Sequence, residues 1–358
     1  MRLHPRSVIL AAALLAPAAA FTTACGDSDT AARPVAAKAP AANPTLTAQL
    51  KNVVAKGAPG VIALVNDGHG IRLHAAGAAK PTDRFRAGSI TKSFVSTVAL
   101  QLVGEGKLSL SDSVERWLPG ILPYGDHVTV RQLLQLTSGV PDDQGPVEAE
   151  WIKGNMAKTW SPRELVALVA DKQPDFAPGT SWAYSNTNYT LAGMVIERVT
   201  GHSLRHELDR RIFGPLHLRD TSFPTGETTI AGSHVKGYAF LEGKLVDVTE
   251  LNPSGTWGPG NLVSTTSDIA HFWRALLGGK LLEPAQLAAM KTTVPAWEGF
   301  EYGLGAERET QPLNMTDEAA LAVAHGSQLV EQPLLAPPKA RPILSLVDVC
   351  HHSPHSMR

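Results

Sequence analysis

An α+β fold is what the order of patterns along this 358-residue sequence predicts. Three observations carry that expectation. Two short apolar runs near the start flank a glycine-rich turn, and the periodicity after them is mostly helical. Hydrophobic residues make up 43% and charged residues 18%, the balance of a chain that buries a core. Soluble domains average roughly 25% charged residues, so a disordered chain is excluded. Lys and Arg total 32 against 33 Asp and Glu, a net charge of −1 that offers no basic footprint for nucleic acid.

The N-terminus reads as a targeting segment. Arg2 and Arg6 precede an apolar stretch from Val8 to Phe21, broken by Pro17. That stretch is shorter than the ~20 residues needed to span a bilayer. Residues 1–25 are therefore expected to be a secretory signal peptide. Two cleavage sites compete: Ala18-Ala19-Ala20 suits an ordinary signal peptidase, and Thr22-Thr23-Ala24-Cys25 resembles a lipobox that would lipidate Cys25. Either one predicts a protein that is secreted or held at the outer face of the cytoplasmic membrane. Residues 26–44, rich in Ala, Pro and Asp, read as a flexible tether. Cys25 and Cys350 are the two cysteines, too few for a disulfide framework or a four-ligand zinc site. No metal and no cofactor is expected.

The elements then follow in order. A helix at 46–56 stops at Gly57. Strands at 60–66 and 71–76 flank Asp67-Gly68-His69-Gly70, a hairpin signal. From Ser89 the pattern becomes helical, with Val95, Val98, Leu100 and Leu102 before Gly104 and Gly106. Further helices are expected at 130–136, 162–172, 188–199, 204–213, 268–277 and 284–291, with Ser161 and Ser267 as N-caps.

Nucleophile patterns narrow the chemistry. The chain has no G-x-S-x-G, no G-x-x-x-x-G-K-[ST] and no G-x-G-x-x-G. His202 and His206 have i,i+4 spacing, but Ser203 stands where a zinc protease places its base, so solvated helix histidines are expected. Ser-x-x-Lys occurs twice, at Ser89-Ile90-Thr91-Lys92 and Ser233-His234-Val235-Lys236. Roughly one or two such matches arise by chance in a chain of this length, so context decides. Ser89 follows Gly88 at the start of an apolar-periodic helix, whereas Ser233 lies in a stretch without periodicity. A helix start places Ser89 among unpaired N–H groups at the positive end of the macrodipole. Lys92 lies one turn on, on the same face, and burial can lower its pKa until it serves as a base. Tyr184-Ser185-Asn186 adds a phenol and an amide just ahead of the helix at 188–199.

At this point a resemblance is visible. Asp83-Arg84-Phe85-Arg86-Ala87-Gly88-Ser89-Ile90-Thr91-Lys92-Ser93-Phe94 resembles the nucleophile segment of serine D-alanyl-D-alanine carboxypeptidases and class C β-lactamases. Glu105-Gly106-Lys107-Leu108, Val130-Arg131-Gln132-Leu133-Leu134, Thr137-Ser138-Gly139, Tyr184-Ser185-Asn186-Thr187-Asn188-Tyr189, Ala192-Gly193-Met194 and Thr200-Gly201-His202-Ser203 are similar to that family in the family's order. The resemblance covers about residues 45–308 and is strongest to secreted carboxypeptidases of this penicillin-recognising group.

The resemblance implies a β-lactamase/transpeptidase-like fold, an antiparallel sheet flanked by helices with an all-helical subdomain at roughly 89–265 inside a hydrolase domain at 45–305. It implies an acyl-enzyme at Ser89, with Lys92 and Tyr184 sharing the general base and acid work in an order left open. Asn186 would orient the acyl-side amide, Trp257 would line the pocket, and Arg308 would meet a substrate carboxylate. The implied partners are a peptidoglycan stem peptide or a β-lactam, met by a monomer. A β-lactamase or esterase on the same scaffold, and a catalytically impaired relative, stand as alternatives.

The C-terminus departs from the family. Its third motif, Lys or His followed by Thr or Ser and then Gly, should closely follow Tyr302-Gly303-Leu304-Gly305. The nearest remnants are His325-Gly326-Ser327 and Lys291-Thr292-Thr293. Pro333, Pro337, Pro338 and Pro342 disfavour strands and a long helix. Residues 306–358 are thus expected to form an atypical tail in which the closing strands are in doubt.

Overall fold

The computed structural model describes residues 44–66, 71–242, 244–297, 299–309, 343–348 and 350–351. The signal peptide, the tether, Cys25 and His325-Gly326-Ser327 lie outside the described residues.

Helix α1 (Pro44–Ala55) leads into strands β1 (Gly60–Asn66) and β2 (Ile71–Gly77). They pair antiparallel, with Gly60 opposite Gly77 and Asn66 opposite Ile71. The strand at 60–66 lacks polar alternation because both of its faces are covered. Val61 and Ala63 meet Leu46, Leu50 and Val53 of α1, whereas Ile62 joins the main core. The short strand β3 (Phe85–Arg86) then enters a 3₁₀ turn at Gly88–Ile90 that opens α2 (Thr91–Gly104).

A helical region follows: α3 (Val114–Trp117), α4 (Val130–Gln135), α5 (Gln144–Ile152), α6 (Pro162–Ala167), α7 (Thr187–Thr200), α8 (Leu204–Leu208) and α9 (Gly214–Leu216). Strands β4 (Tyr238–Leu241), β5 (Lys244–Asp247) and β6 (Val263–Ser264) return the chain to the base of α2, where β6 pairs with β3. After α10 (Thr266–Leu277) and α11 (Pro284–Met290) comes a three-stranded sheet of β7 (Val294–Pro295), β8 (Phe300–Tyr302) and β9 (Glu307–Glu309). Among the described residues no helix is long and apolar enough to cross a membrane.

Helix α2 explains the placement of the core. Phe94, Val95, Val98, Ala99, Leu100 and Leu102 are all buried, so this helix is enclosed rather than amphipathic. Phe94 stacks on Phe272 of α10 at a centroid distance of 3.6 Å.

Four expectations need correction. The N-cap of α10 is Thr265, whose hydroxyl accepts the Asp268 N–H, and Ser267 lies inside the helix. The helix expected at 162–172 ends at Ala167, although Ser161 caps it with a full capping box. The stretch expected as one helix at 204–213 passes from α8 into a π turn at Asp209–Phe213. The tail also supplies strands: β10 (Ile343–Asp348) pairs antiparallel with β1, and β11 (Cys350–His351) pairs parallel with β4. Strand β10 begins at Ile343, directly after Pro342 in the sequence, so no proline lies within it.

Candidate active site

The site is built from the lower end of α2 outward. Ala87 N–H donates to Leu262 O at 2.8 Å and the Leu262 N–H donates to Thr91 Oγ1 at 3.2 Å, which fixes the turn that carries Ser89. The charged residues around this segment have structural partners. Arg86 donates to the carbonyls of Thr228, Thr249 and Leu251, and Asp83 accepts from Ser233 Oγ at 2.6 Å. The second Ser-x-x-Lys is thereby accounted for: Ser233 holds Asp83, and Lys236 pairs with Asp247 at 2.9 Å.

Lys92 is 2% exposed, and its amine is the centre of the cluster. Nζ lies 2.8 Å from Ser89 Oγ, 2.7 Å from Tyr184 OH, 2.8 Å from Asn186 Oδ1 and 3.4 Å from Pro259 O. Ser89 Oγ and Tyr184 OH are also hydrogen-bonded to each other. Four of the residues singled out in the sequence therefore meet within one network, with the nucleophile half-buried and the amine beneath it.

The charge states follow from burial. Desolvation lowers the Lys92 amine to about 7, against the opposing pull of Asp142, Glu307 and Asp143. Near neutral pH a large share of it is the free base. Burial raises the Tyr184 phenol above its ordinary value, so it remains protonated and able to donate. Glu307 is pushed up to about 8, again by burial, with Lys92 as the opposing influence. A carboxyl raised this far is partly neutral near pH 7, which weakens but does not remove its pull toward the ammonium form of Lys92.

Asp142, Asp143 and Glu307 went unnoticed in the sequence. The signal for the first two was their position directly after Pro141, in the loop that follows Thr137-Ser138-Gly139. That loop is tied to the first turn of α7: Thr187 Oγ1 donates to Pro141 O at 2.8 Å and accepts the Asp143 N–H at 3.0 Å. Ser138 Oγ donates to Asn188 Oδ1 at 2.5 Å.

Trp257 is buried. Its indole packs beside Gly193 of α7, edge-on to Phe223, and its carbonyl accepts from Thr190 Oγ1 at 3.3 Å. These contacts give Trp257 a packing role between α7 and Phe223. Arg308 faces Glu301 across the β8–β9 hairpin and is ion-paired with it. Its exposed guanidinium is committed there rather than joined to the Ser89 network. Arg308→Ala is accordingly expected to change acylation by no more than about twofold and stability by less than about 1 kcal/mol. A tenfold loss of KM-dependent rate on a carboxylate-bearing peptide would restore the substrate role. His202, His206 and Glu207 also cluster, but Glu207 is ion-paired with both Arg210 and Arg211, and the two guanidiniums oppose a cation there.

Comparison with known proteins agrees with this geometry. The profile of the Beta-lactamase family matches residues 45–330. The chain belongs to that family. Its fold is the β-lactamase/transpeptidase type, which places it in the serine hydrolase superfamily with the penicillin-binding proteins. It is similar to a D-stereospecific amidohydrolase from Streptomyces sp., with a TM-score of 0.71 and 39% identity, over 74% of this chain and 82% of that one. A D-amino acid amidase from Ochrobactrum anthropi superposes with a TM-score of 0.68 at 27% identity, over 86% of this chain and 90% of the amidase. Penicillin-binding protein 4* of Bacillus subtilis is 29% identical over 252 residues, 65% of this chain and 54% of that protein. The chain spans about half or less of the length of the first curated relatives it matches. The family match continues past Gly305, beyond the expected end of the hydrolase domain.

Proposed function

We propose that this serine hydrolase is an exported D-alanyl-D-alanine carboxypeptidase that acts on peptidoglycan stem peptides and is acylated by β-lactams. The observation that carries the reading is the Lys92 amine, held within hydrogen-bond distance of both Ser89 Oγ and Tyr184 OH. The Lys92 free base takes the Ser89 proton as Oγ attacks the carbonyl of the penultimate residue. Tyr184 then donates its phenolic proton to the departing amine and is reprotonated from Lys92. Asn186 grips the acyl-side amide. Water enters along the same path in reverse and releases the acid.

A second reading, hydrolysis of D-amino acid amides, is favoured by two observations. The solved amidohydrolase from Streptomyces sp. shares 39% identity with this chain, and Arg308 is paired with Glu301 rather than left for a terminal carboxylate. One experiment tests the shared chemistry and separates the two. Intact-protein mass spectrometry after incubation with a penicillin is expected to show one covalent adduct, absent in Ser89→Ala. Parallel assays with a peptide ending in D-Ala-D-Ala and with a D-amino acid amide then assign the substrate. An adduct that persists in Ser89→Ala would sink both readings.

A further inference from the structure

Resting on the reading that Ser89 is acylated, we propose that Asp142 is a positioning residue. It sets which end of the Asn186 amide faces Lys92, and thereby aims the lone pair of the amine at Ser89 and Tyr184.

Hydrogen-bond polarity makes the case. Asp142 Oδ1 accepts the Asn186 backbone N–H at 2.7 Å and the Asn186 Nδ2 at 3.2 Å. Burial raises the Asp142 carboxyl above its ordinary value, opposed by its bonds to Asn186. Oδ1 already takes a backbone N–H, which can only donate, so this oxygen is an acceptor. The NH₂ end of the amide must then point at Asp142 and the oxygen end away. That oxygen is what Lys92 Nζ meets at 2.8 Å. Pro259 O, at 3.4 Å, is likewise an acceptor only. A free amine has two N–H bonds and one lone pair. The two acceptor-only oxygens take the N–H bonds, so the lone pair falls toward Ser89 Oγ and Tyr184 OH, one of which gives it a proton while the other donates within the Ser89–Tyr184 hydrogen bond. With the amide reversed, Nδ2 would donate into that lone pair and the base would be lost.

Asp142 is suited to this task by its mounting. Its loop is clamped to α7 through Thr187 on either side, at Pro141 O and the Asp143 N–H. Both the carboxylate and the amide it orients are therefore fixed to one helix end. The groups that act on the Lys92 amine are Asp142, Asp143, Glu307 and the ring faces of Tyr184 and Tyr189. Of these, Asp142 alone bonds the amide that bonds the amine.

The test is a double-mutant cycle on penicillin acylation, read across pH. Asp142→Ala is expected to slow acylation about 100-fold, and Asp142→Asn, which keeps an acceptor oxygen, to recover about tenfold of that loss. In an Asn186→Ala background the same Asp142→Ala change should alter the rate by less than about threefold, because its effect passes through the amide. Removal of the carboxylate also moves the limb set by Lys92 to lower pH, since Asp142 favours the ammonium form. If Asp142→Ala does not fold, Asp142→Leu takes its place in the cycle. Acylation close to the wild-type rate, or an undiminished effect in the Asn186→Ala background, overturns the proposal. An adduct in Ser89→Ala would instead refute the acyl-enzyme reading. Even then, an NMR titration of ¹³C-labelled Lys92 that is unchanged by Asp142→Ala would defeat the positioning role.

Discussion

Lys92→Met is expected to abolish acylation while making the protein more stable. Loss of a general base costs about 10²–10⁴ in rate, and a thioether cannot take the Ser89 proton. The stability gain comes from the cost of burying an amine. Lysine titrates at 10.5 when free and at about 7 in this site, a separation worth about 5 kcal/mol of destabilisation when both states are protonated. Asn186 Oδ1 and Pro259 O lose their donor in the variant, which returns part of that gain. A net gain of about 2 kcal/mol is expected below pH 7. The sign of the pH dependence is fixed. Between 7 and 10.5 the unfolded chain binds more protons at this lysine than the folded chain, so this group makes the wild type gain stability as pH rises. Glu307 acts oppositely between 4.5 and about 8, because its folded-state pKa is raised. The interval from 8 to about 10 therefore isolates Lys92, below the pH at which the unfolded tyrosines ionise. Urea denaturation of both proteins at pH 6 and at the top of that interval should show the gap closing. A variant no more stable than wild type at pH 6 would mean the amine is not held at the cost its burial implies.

That trade also shows which parts of the site were legible in the sequence. Ser89, Lys92, Tyr184 and Asn186 could be found because each lies in a short run whose spacing has a local physical meaning. Ser89 and Lys92 share a helix face, and Tyr184 and Asn186 precede a helix start. Glu307 has no such local signature, and Asp142 has only its place after Pro141. Carboxylates are mostly solvated, and Asp142 gains its role only when a loop 44 residues away closes on Asn186. The same distinction runs through the fold. The hairpin of β1 and β2 was legible because turn residues separate two apolar runs. Helix α5 was not, since Val147 and Trp151 are its only buried side chains and Pro146 in its opening turn reads in the sequence as a helix breaker. In the tail, proline density argues against strands, yet β10 begins immediately after Pro342. Proline excludes pairing at its own position, not beside it.

Gly305→Ala is expected to destabilise the protein by about 3 kcal/mol and to slow acylation together with it. Gly305 has φ +77°, and a Cβ there would lie 2.2 Å from Ser96 Oγ, 2.7 Å from Ser96 Cβ and 2.9 Å from Tyr189 OH. Ser96 belongs to α2 and Tyr189 to α7, so neither neighbour yields without moving a core helix. The glycine is also held in place: its N–H donates to Leu134 O at 3.1 Å and its carbonyl accepts from Ser93 Oγ at 2.6 Å. Relief requires the β8–β9 turn to lift from α2 beside Lys92, which carries Glu307 away from the amine. Gly279 supplies the control, because its φ of +73° is nearly the same and no atom lies within 4 Å of an added Cβ. Gly279→Ala should therefore show only the backbone term of about 1 kcal/mol and leave acylation intact. Thermal unfolding and penicillin acylation of the two variants separate the contributions. Equal losses of stability would mean that the left-handed backbone, and not the contact with α2, makes Gly305 necessary. A larger loss at Gly305, joined to slower acylation, ties the hairpin to the geometry of the amine.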